Sequence, residues 1–513
     1  MRLSLTAWAV AMSLFALPAA ATEVPKITLK QALAAALANN PRLAQSRALI
    51  EQSTAAIGAA RTAFDTALTI GLDGSLARRP SPDLASGAVQ DSSLGGSVGY
   101  RHKLALGTAL GVSIGQRFAD SAGILSILAP QITTDLRVTV AQPILRGAGS
   151  EVNLAPVVGA EALREASLED HTRLVENVLS EVASAYWLVV GAQAEVDIRR
   201  RAYDRAKEVQ TLTQDLIKRG SLAQAASVQA ASTTGLRRAR LDGAERALEE
   251  AELTLVRAIL DQAPARVGAQ DPLPEPGPPA QLPTQIDRAD LRAAKKRAEA
   301  QQSQVVVAED QTRPSLDLTL FGGLTGLGGT KNDVACRLFA SGGGATPAGC
   351  ADNSDFSGYG ATFATLFGKG FYTLGLGVTL ALPIVREAAD AQAEVARIAV
   401  RQSEILVDEL QRDAQAEATA LSALVARDRA SLITAEDARR VTAQLVDLEA
   451  QRYQVGSAST FDVLRVQDDL AEAEVLAARA RASVMATDLR FALATGRVLE
   501  HLGVSETAPA ATP

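Results

Sequence analysis

The clearest pattern in the chain is an alternating segment that turns directly into a long helical one. From Tyr372 to Leu382, apolar side chains occupy every second position, and Gly, Thr and Ala lie between them. This alternation is typical of a membrane β-strand with one face in lipid and the other in water. Pro383 ends the strand because it has no N–H to donate. Neither Pro nor Gly occurs from Arg386 to Val455, so a single long helix is predicted there.

The same order of elements occurs earlier in the chain. Apolar and polar residues alternate over 134–142, Pro143 closes that strand, and a helical pattern runs from about Ala160 to Gly220. Another alternating segment, preceded by a helical one, comes before each copy, at residues 68–72 and 316–320. Corresponding positions lie about 240 residues apart, which predicts an internal duplication of helix, strand, strand and helix.

Residues 94–116 carry a further alternating pattern. Leu94 and Val98 alternate with small residues in its first half, and Leu110 and Val112 do so in its second. We interpret this hairpin as an extracellular flap, and two additional strands of the sheet are the alternative. The four remaining strands are too few to close a barrel. Because unpaired strand edges are costly in hydrocarbon, several chains must then share one barrel.

The chain divides by composition into five segments. Arg2, an apolar run and three alanines predict a cleaved secretory signal peptide. The Pro-rich stretch near the middle cannot form regular structure and separates the two repeats. The expected segments are the signal peptide (1–21), repeat 1 (22–265), the connector (266–285), repeat 2 (286–497) and the C-terminal tail (498–513).

Composition excludes several classes of function. Aromatic residues make up only 4% of the chain, so the Ala-rich helices favour close helix-on-helix packing in coiled coils. The formal net charge is −7, and basic residues do not cluster with aromatic ones, which argues against a nucleic-acid partner. Phosphate-binding loops, His/Cys clusters and nucleophile elbows are missing, so we expect neither an enzyme nor a cofactor or metal site.

The two cysteines, Cys336 and Cys350, lie 14 residues apart within a Gly-rich loop that spans 322–370. In an oxidising compartment, two cysteines in one loop favour a disulfide, and unpaired thiols are the alternative. A metal site would need more ligands than this loop supplies.

Several motifs, taken in order, resemble the TolC-like outer-membrane efflux protein family. The likeness covers about residues 27–497, and the order, spacing and duplication of the motifs make it specific. The motifs are ITLKQAL (27–33), NNP (39–41), QPILRG (142–147), AYWL (185–188), RYQVG (452–456) and DVL (462–464).

This resemblance implies a mixed fold. Each chain of a homotrimer would contribute strands to one shared, twelve-stranded outer-membrane β-barrel, and its long helices would form coiled coils of a periplasmic α-helical barrel. The connector would lie in an equatorial region. The protein would be the exit duct of a tripartite efflux or type I secretion system. Its partners would be a periplasmic adaptor, an inner-membrane transporter and outer-membrane lipid. Whether small compounds or polypeptides are exported stays open.

A periplasmic coiled-coil adaptor or structural protein is the alternative class. Such a protein would also carry helical hairpins, but it would lack the lipid-facing alternation. That alternation includes Leu68, Leu136, Leu316 and Leu374.

Two glycine-containing reversals between helices are the candidate periplasmic tips. A tight reversal needs a positive φ, which glycine adopts without strain. By resemblance, adaptor hairpins would dock beside these turns. Pro143 and Pro383, which end their strands, mark the expected strand–helix junctions. The tip residues are Gly220, Ser221, Leu222, Val455, Gly456 and Ser457.

The resemblance also suggests a constriction near the second tip. Tyr453 would take part in interhelical hydrogen bonds that hold the end shut, and Asp462 would face the lumen. A solvated helix face is the alternative for Asp462. Arg465 stands at a second acidic position of the family, and it could pair with Asp462 or Asp468.

The sequence departs from the family at two further positions of this constriction. Ala458 occupies a place that can hold a basic latch residue, and Ala226 occupies the place of an Asp in the first copy. We therefore expect a closed-state latch that is weakened or built differently.

Overall fold

The computed structural model describes residues 24–80, 88–121, 126–221, 223–260, 266–341, 347–351, 356–455 and 457–504. The expected signal peptide lies outside these residues.

The described residues form the following strands and helices, in chain order. The strands are β1 (Lys26–Ile27), β2 (Ala67–Pro80), β3 (Ala88–Lys103), β4 (Ala109–Ser121), β5 (Leu128–Pro143), β6 (Gly268–Ala269), β7 (Ser315–Lys331) and β8 (Tyr372–Ala381). The helices are α1 (Leu29–Asn39), α2 (Pro41–Arg61), α3 (Ser150–Lys218), α4 (Ala225–Leu260), α5 (Ala289–Gln311), α6 (Asp333–Ser341), α7 (Ala361–Gly368), α8 (Glu387–Gln454), α9 (Thr460–Ala494) and α10 (Val498–Leu502).

Local signals account for the starts of α1 and α2. Thr28 and Gln31 form a capping box at the start of α1, and Pro41 begins α2, where a missing N–H costs nothing. The long helix expected from about Arg386 is α8. The helix expected from about Ala160 begins earlier, at Ser150, and includes Pro156 in its second turn. One proline there removes only one hydrogen bond of a helix that is 69 residues long.

The chain forms two compact units, which we describe separately. The helical unit comprises Met1–Leu49, Leu168–Arg292 and Asp408–Pro513. The sheet unit comprises Ile50–Ser167 and Ala293–Val407.

The sheet unit contains one antiparallel sheet of six strands, in the order β2-β3-β4-β5-β7-β8. The hairpin over 94–116 belongs to this sheet, so the interpretation as a flap is wrong. Its two strands pair with β2 and β5 over almost their whole lengths, for example Leu68 with Tyr100 and Ile114 with Leu136. Pairing on both sides satisfies the backbone groups that a separate hairpin would leave open. The expectation of four strands per chain is therefore wrong as well.

The helical unit has its main core around Tyr186, the tyrosine of the AYWL motif. Its ring is fully buried among apolar side chains of α1, α3, α4 and α9. The hydroxyl lies 2.7 Å from the Asp271 carboxylate and 3.0 Å from the carbonyl oxygen of Ile27. Burial raises the pKa of Tyr186 to about 12, so the phenol stays protonated. These bonds join the connector to the start of the described chain, where β1 pairs with β6.

Candidate functional site

One face of the six-stranded sheet is apolar and exposed. The cross-strand registers place even-numbered residues of all six strands on this side, which we call the apolar face. Leu72 is 85% exposed and Leu374 is 82% exposed. Exposure of so many leucine side chains to water would be very unfavourable, because it costs about 25 cal/mol per Å² of apolar area. Other exposed members of the apolar face are Leu68, Ile70, Leu94, Val98, Val112, Ile114, Val138, Leu320, Leu376 and Val378.

The opposite face, which we call the polar face, carries mostly Gly, Ser and Thr at odd-numbered positions. It also holds an ion pair, with 3.1 Å between Arg117 and Asp73 and both side chains about half exposed. Gly95 lies between these partners in the register, and a Cβ there would collide with the Asp73 carboxylate. The small side chains leave this face open to water.

The four strand–helix junctions lie at one end of the sheet, which we call the helix end. The register pairs Pro143 with Asp317 and Ser315 with Ala381 at this end. β5 ends at Pro143, and Pro383 follows the end of β8, as the alternation predicted. In the sheet, β2 and β8 are each paired on one side only.

The first helix turn, at Gly220, has a complete C-terminal cap. Gly220 has φ +74°, and its N–H donates to the carbonyl oxygen of Ile217 at 2.9 Å. The N–H of Ser221 donates to the carbonyl oxygen of Leu216 at 2.9 Å. These two bonds are those of a Schellman motif, which requires a left-handed residue where Gly220 stands. Leu222 lies outside the described residues.

The second helix turn repeats the outer bond of that motif. The N–H of Ser457 donates to the carbonyl oxygen of Arg452 at 2.9 Å, five residues back, as Ser221 does in the first turn. Gly456 lies outside the described residues, and its neighbour Val455 is 79% exposed. The two turns therefore share this serine hydrogen bond, 236 positions apart.

Asp462 is part of a helix cap at the start of α9. Its carboxylate accepts from the backbone N–H of Ser459 at 3.0 Å and from the Ser459 hydroxyl at 2.7 Å. In return, the Ser459 hydroxyl oxygen accepts from the N–H of Asp462 at 3.2 Å. The hydrogen bond from Ser459 holds the pKa of Asp462 below its usual value. The matching turn of the first copy has alanines at both positions, Ala223 and Ala226.

The other constriction candidates, Tyr453 and Arg465, make fewer hydrogen bonds and ion pairs than Asp462. Thr460 and Tyr453 bring their hydroxyls to 3.5 Å across the turn, and Tyr453 is 45% exposed. In the part of the chain that the structure describes, Arg465 forms no ion pair with Asp462 or Asp468. The position of Arg465 instead lets its positive charge lower the pKa of Asp462 through space.

Asp468 pairs with two arginines of α4 that the sequence reasoning missed. Arg237, which is 4% exposed, places Nε 3.3 Å from one carboxylate oxygen, and Arg240 lies 2.9 Å from the other. Arg237 also donates to the carbonyl oxygens of Ala202 in α3, at 3.2 Å, and Leu464 in α9, at 2.8 Å. Burial lowers the pKa of Arg237.

Two of these helices, α3 and α9, are joined by a second ion pair, one turn further along. Arg199 of α3 binds Glu472 of α9 through two hydrogen bonds, at 2.7 and 3.0 Å. This bidentate contact lowers the pKa of Glu472. Arginines spaced along helices give no sequence motif, so only the packing of α3, α4 and α9 reveals this cluster.

The loop between β7 and β8 contains a disulfide between Cys336 and Cys350. It joins α6 to the short segment that follows the undescribed residues 342–346. Groups of His, Cys, Asp and Glu with metal-site geometry do not occur among the described residues. Within the same residues, helices of the length and apolarity that a membrane span requires are absent.

These features define a class of protein that combines an amphipathic antiparallel sheet with long helices that reverse direction at short turns. Residues 284–497 match the model of a family described as "Outer membrane efflux protein". The resemblance to the TolC-like outer-membrane efflux proteins is thereby confirmed, and the family match supports the expected location in the outer membrane, with an extension into the periplasm. Curated protein sequences give no significant match to the chain.

Solved outer-membrane channels share the fold over nearly the whole chain. The outer-membrane channel OprN is 15% identical, with a TM-score of 0.60, and the match covers 94% of this chain and 98% of OprN. The CmeC channel of Campylobacter jejuni is 16% identical, with a TM-score of 0.57 over 92% of this chain and 86% of CmeC. The open state of MtrE from Neisseria gonorrhoeae is 16% identical, with a TM-score of 0.59 over 91% of this chain and 89% of MtrE.

Proposed function

We propose that the protein is the outer-membrane channel of a tripartite efflux or type I secretion system. Its sheet would join the sheets of other copies in a barrel around an aqueous lumen. The observation that carries this proposal is the six-stranded sheet, which is apolar on one face, polar on the other and open at both edges. Lipid would cover the apolar face, and water would fill the space beside the polar face.

The open edges support sharing of the barrel between chains. Unpaired N–H and C=O groups along β2 and β8 would be costly in hydrocarbon. Because the six strands alternate in direction, β8 of one copy would meet β2 of the next in antiparallel orientation. In a homotrimer, 18 strands would replace the twelve expected from the resemblance. Barrels of about 16–18 strands leave an aqueous channel.

The surface of α8 in the helical unit supports the same association. Leu424, Val441, Leu445 and Leu448 are exposed apolar residues of this helix. The last three are spaced by three and four residues, which is the seam spacing of a coiled coil. Helices of neighbouring copies would cover this seam in a periplasmic α-helical barrel. The connector over 266–285 would lie in its equatorial region.

The two helix turns are the proposed docking sites for a periplasmic adaptor. They share the serine N–H bond to the preceding helix, and exposed residues surround both of them. An adaptor hairpin beside each turn would connect the duct to an inner-membrane transporter. The alternative, in which the chain is itself a soluble periplasmic coiled-coil protein, gives no role to an exposed apolar sheet face.

Single-channel recording in a planar bilayer tests this function. The detergent-purified protein should insert spontaneously and give discrete conductance steps. Water-soluble, well-folded protein that never inserts would overturn the channel and favour the soluble alternative. A conducting protein that runs as a monomer in detergent would overturn the shared barrel.

A further inference from the structure

Aromatic residues of this chain are concentrated in one short segment. The chain has 11 Phe and 6 Tyr, and six of these 17 rings fall within residues 356–372. Lys369 is the one charged residue of that segment, and α7 at its centre has none. We call residues 356–372 the aromatic segment. Its rings are Phe356, Tyr359, Phe363, Phe367, Phe371 and Tyr372.

The aromatic segment lies over the apolar face of the sheet, at the end opposite the helix end. Gly326 and Gly328 project toward that face, and a Cβ on either one would collide with Thr362 of α7. The Tyr359 ring stacks on Phe118 of β4, with 6.1 Å between ring centroids. The segment therefore crosses the sheet from β7 to β4.

The segment also completes the hydrogen bonding of β7 where β8 is too short to do so. β8 begins opposite Leu324. Beyond that point, the N–H of Thr325 donates to the backbone carbonyl oxygen of Phe371, and the N–H of Gly329 donates to that of Phe356. Between them, the N–H of Leu327 donates to the Thr365 hydroxyl at 2.9 Å. These bonds fix the backbone of the segment against the sheet.

The surface beneath the segment is polar, unlike the leucine-rich part of the apolar face. Gln116 donates to the Thr134 hydroxyl at 3.1 Å, and Tyr359 donates to the Gln116 side-chain oxygen at 2.9 Å. Thr134 is only 1% exposed. Without α7, this patch would interrupt the apolar face with amide and hydroxyl groups, which are costly to bring into contact with hydrocarbon.

The outward surface of the segment restores the apolar character of that face. Phe367 is 71% exposed and Tyr372 is 76% exposed, and Tyr359, Phe363 and Phe371 are also exposed. Tyr372 continues directly into Leu374 of the apolar face. Aromatic rings, with an apolar body and in Tyr a polar tip, favour the boundary between acyl chains and headgroups.

We propose that the aromatic segment is a membrane anchor embedded in the outer leaflet of the outer membrane, with Phe363, Phe367 and Tyr372 in contact with lipid. This proposal rests on the proposed function, in which the apolar face contacts lipid and the helix end faces the periplasm. The continuity of the aromatic surface with the apolar face selects lipid as its partner, rather than another protein.

Fluorescence quenching by lipids brominated on their acyl chains tests the anchor. Full-length variants Phe367→Trp, Tyr372→Trp, Leu72→Trp and Val228→Trp are each reconstituted in phosphatidylcholine vesicles. The signal of the unsubstituted protein is subtracted to remove the contributions of Trp8 and Trp187. Leu72 reports on the apolar face alone. Val228 is an exposed residue of α4 in the helical unit and serves as the matched control.

The anchor predicts that Trp at 367, 372 and 72 loses most of its fluorescence, and that Trp at 228 loses none. Quenching at 72 without quenching at 367 and 372 would overturn the anchor and leave the channel in place. If Trp at 72 were also unquenched, the proposed function would fail together with the anchor. Equal quenching at all four positions would indicate adsorption of the whole protein to vesicles and would overturn the anchor.

Discussion

Arg237 donates a hydrogen bond of 2.8 Å to the backbone carbonyl oxygen of Leu464, in the second turn of α9. The same guanidinium reaches Ala202 of α3 and Asp468 of α9, so one buried side chain joins three helices. Leu464 lies close to the second helix turn, where Ala458 occupies the place of a basic latch residue in the resembled family. We therefore expect Arg237 to hold α3, α4 and α9 together beside this turn.

Substitution of Arg237 tests this connection. Arg237→Ala would remove the ion pair to Asp468 and the hydrogen bonds to the carbonyl oxygens of Ala202 and Leu464. Hydrogen bonds of a charged, buried group are worth about 1.5–3 kcal/mol, so we expect a loss of about 3 kcal/mol. We expect a lower melting temperature of the purified protein and larger single-channel conductance steps. Arg240→Ala is the matched control, because Arg240 binds the same carboxylate from an exposed position and should change stability by about 1 kcal/mol or less. Equal conductance of the two variants would contradict the role of Arg237.

Asp462 and Ser459 should act as a pair if the cap is the main role of Asp462. Asp462→Ala and Ser459→Ala would each break the capping box and expose the first amides of α9. Hydrogen exchange of residues 460–465 should then be faster in both variants, to a similar extent. A lumen-facing charge makes a different prediction, because only Asp462→Ala would change the ion selectivity of the channel.

The cap also predicts a direction for the pH dependence. The hydrogen bond from Ser459 lowers the pKa of Asp462, so the folded state favours the carboxylate. The stabilisation is fully present above the usual pKa of an aspartate and is lost as the pH falls through the lowered value. Hydrogen exchange at 460–465 should therefore become faster, relative to the rest of α9, only under acidic conditions. Ser459→Ala should shift that change to higher pH.

The periodicity of the sequence predicted which residues share a face of the sheet better than it predicted which strands pair with each other. The alternation over Tyr372–Leu382 and the uninterrupted helix after it both match the structure, because each depends only on local residue order. The hairpin over 94–116 was misassigned because alternation defines which residues share a face and leaves the pairing partner open. The capping box at Asp462 could be predicted from Ser459, which lies three residues earlier. The contacts of Arg237 could not be predicted, because its partners come from helices far apart in the sequence.

A lysine on β8 should distinguish the two faces of the sheet. Leu376 belongs to the apolar face and is exposed, so Leu376→Lys would place a charge in lipid, at a cost of about 2–4 kcal/mol near mid-bilayer. We expect less of this variant in the outer membrane. Thr379→Lys is the matched control on the same strand, because Thr379 belongs to the polar face and pairs with Asp317 in the register. Similar membrane levels of the two variants would mean that the faces are assigned the wrong way round.

The ion pair on the polar face should influence ion selectivity. Arg117→Ser would leave the Asp73 carboxylate without its partner and make the proposed lumen more negative. We expect a shift of the reversal potential toward cation selectivity under a salt gradient. Arg313→Ser, a substitution outside the sheet, is the control and should leave the reversal potential unchanged. An unchanged reversal potential in Arg117→Ser would place the polar face away from the conduction path.

The first helix turn offers a test of adaptor docking that does not depend on charge. Gly220 has φ +74°, where a β-branched side chain is strained by about 1–2 kcal/mol, so Gly220→Val should distort the Schellman cap. We expect loss of adaptor-dependent export of a fluorescent dye, with normal insertion and conductance in a planar bilayer. Gly235→Val is the matched control, since Gly235 lies in α4 and a Cβ there meets nothing within 4 Å. Loss of export in both variants would point to general damage to the helices, and retained export in Gly220→Val would argue against docking at this turn.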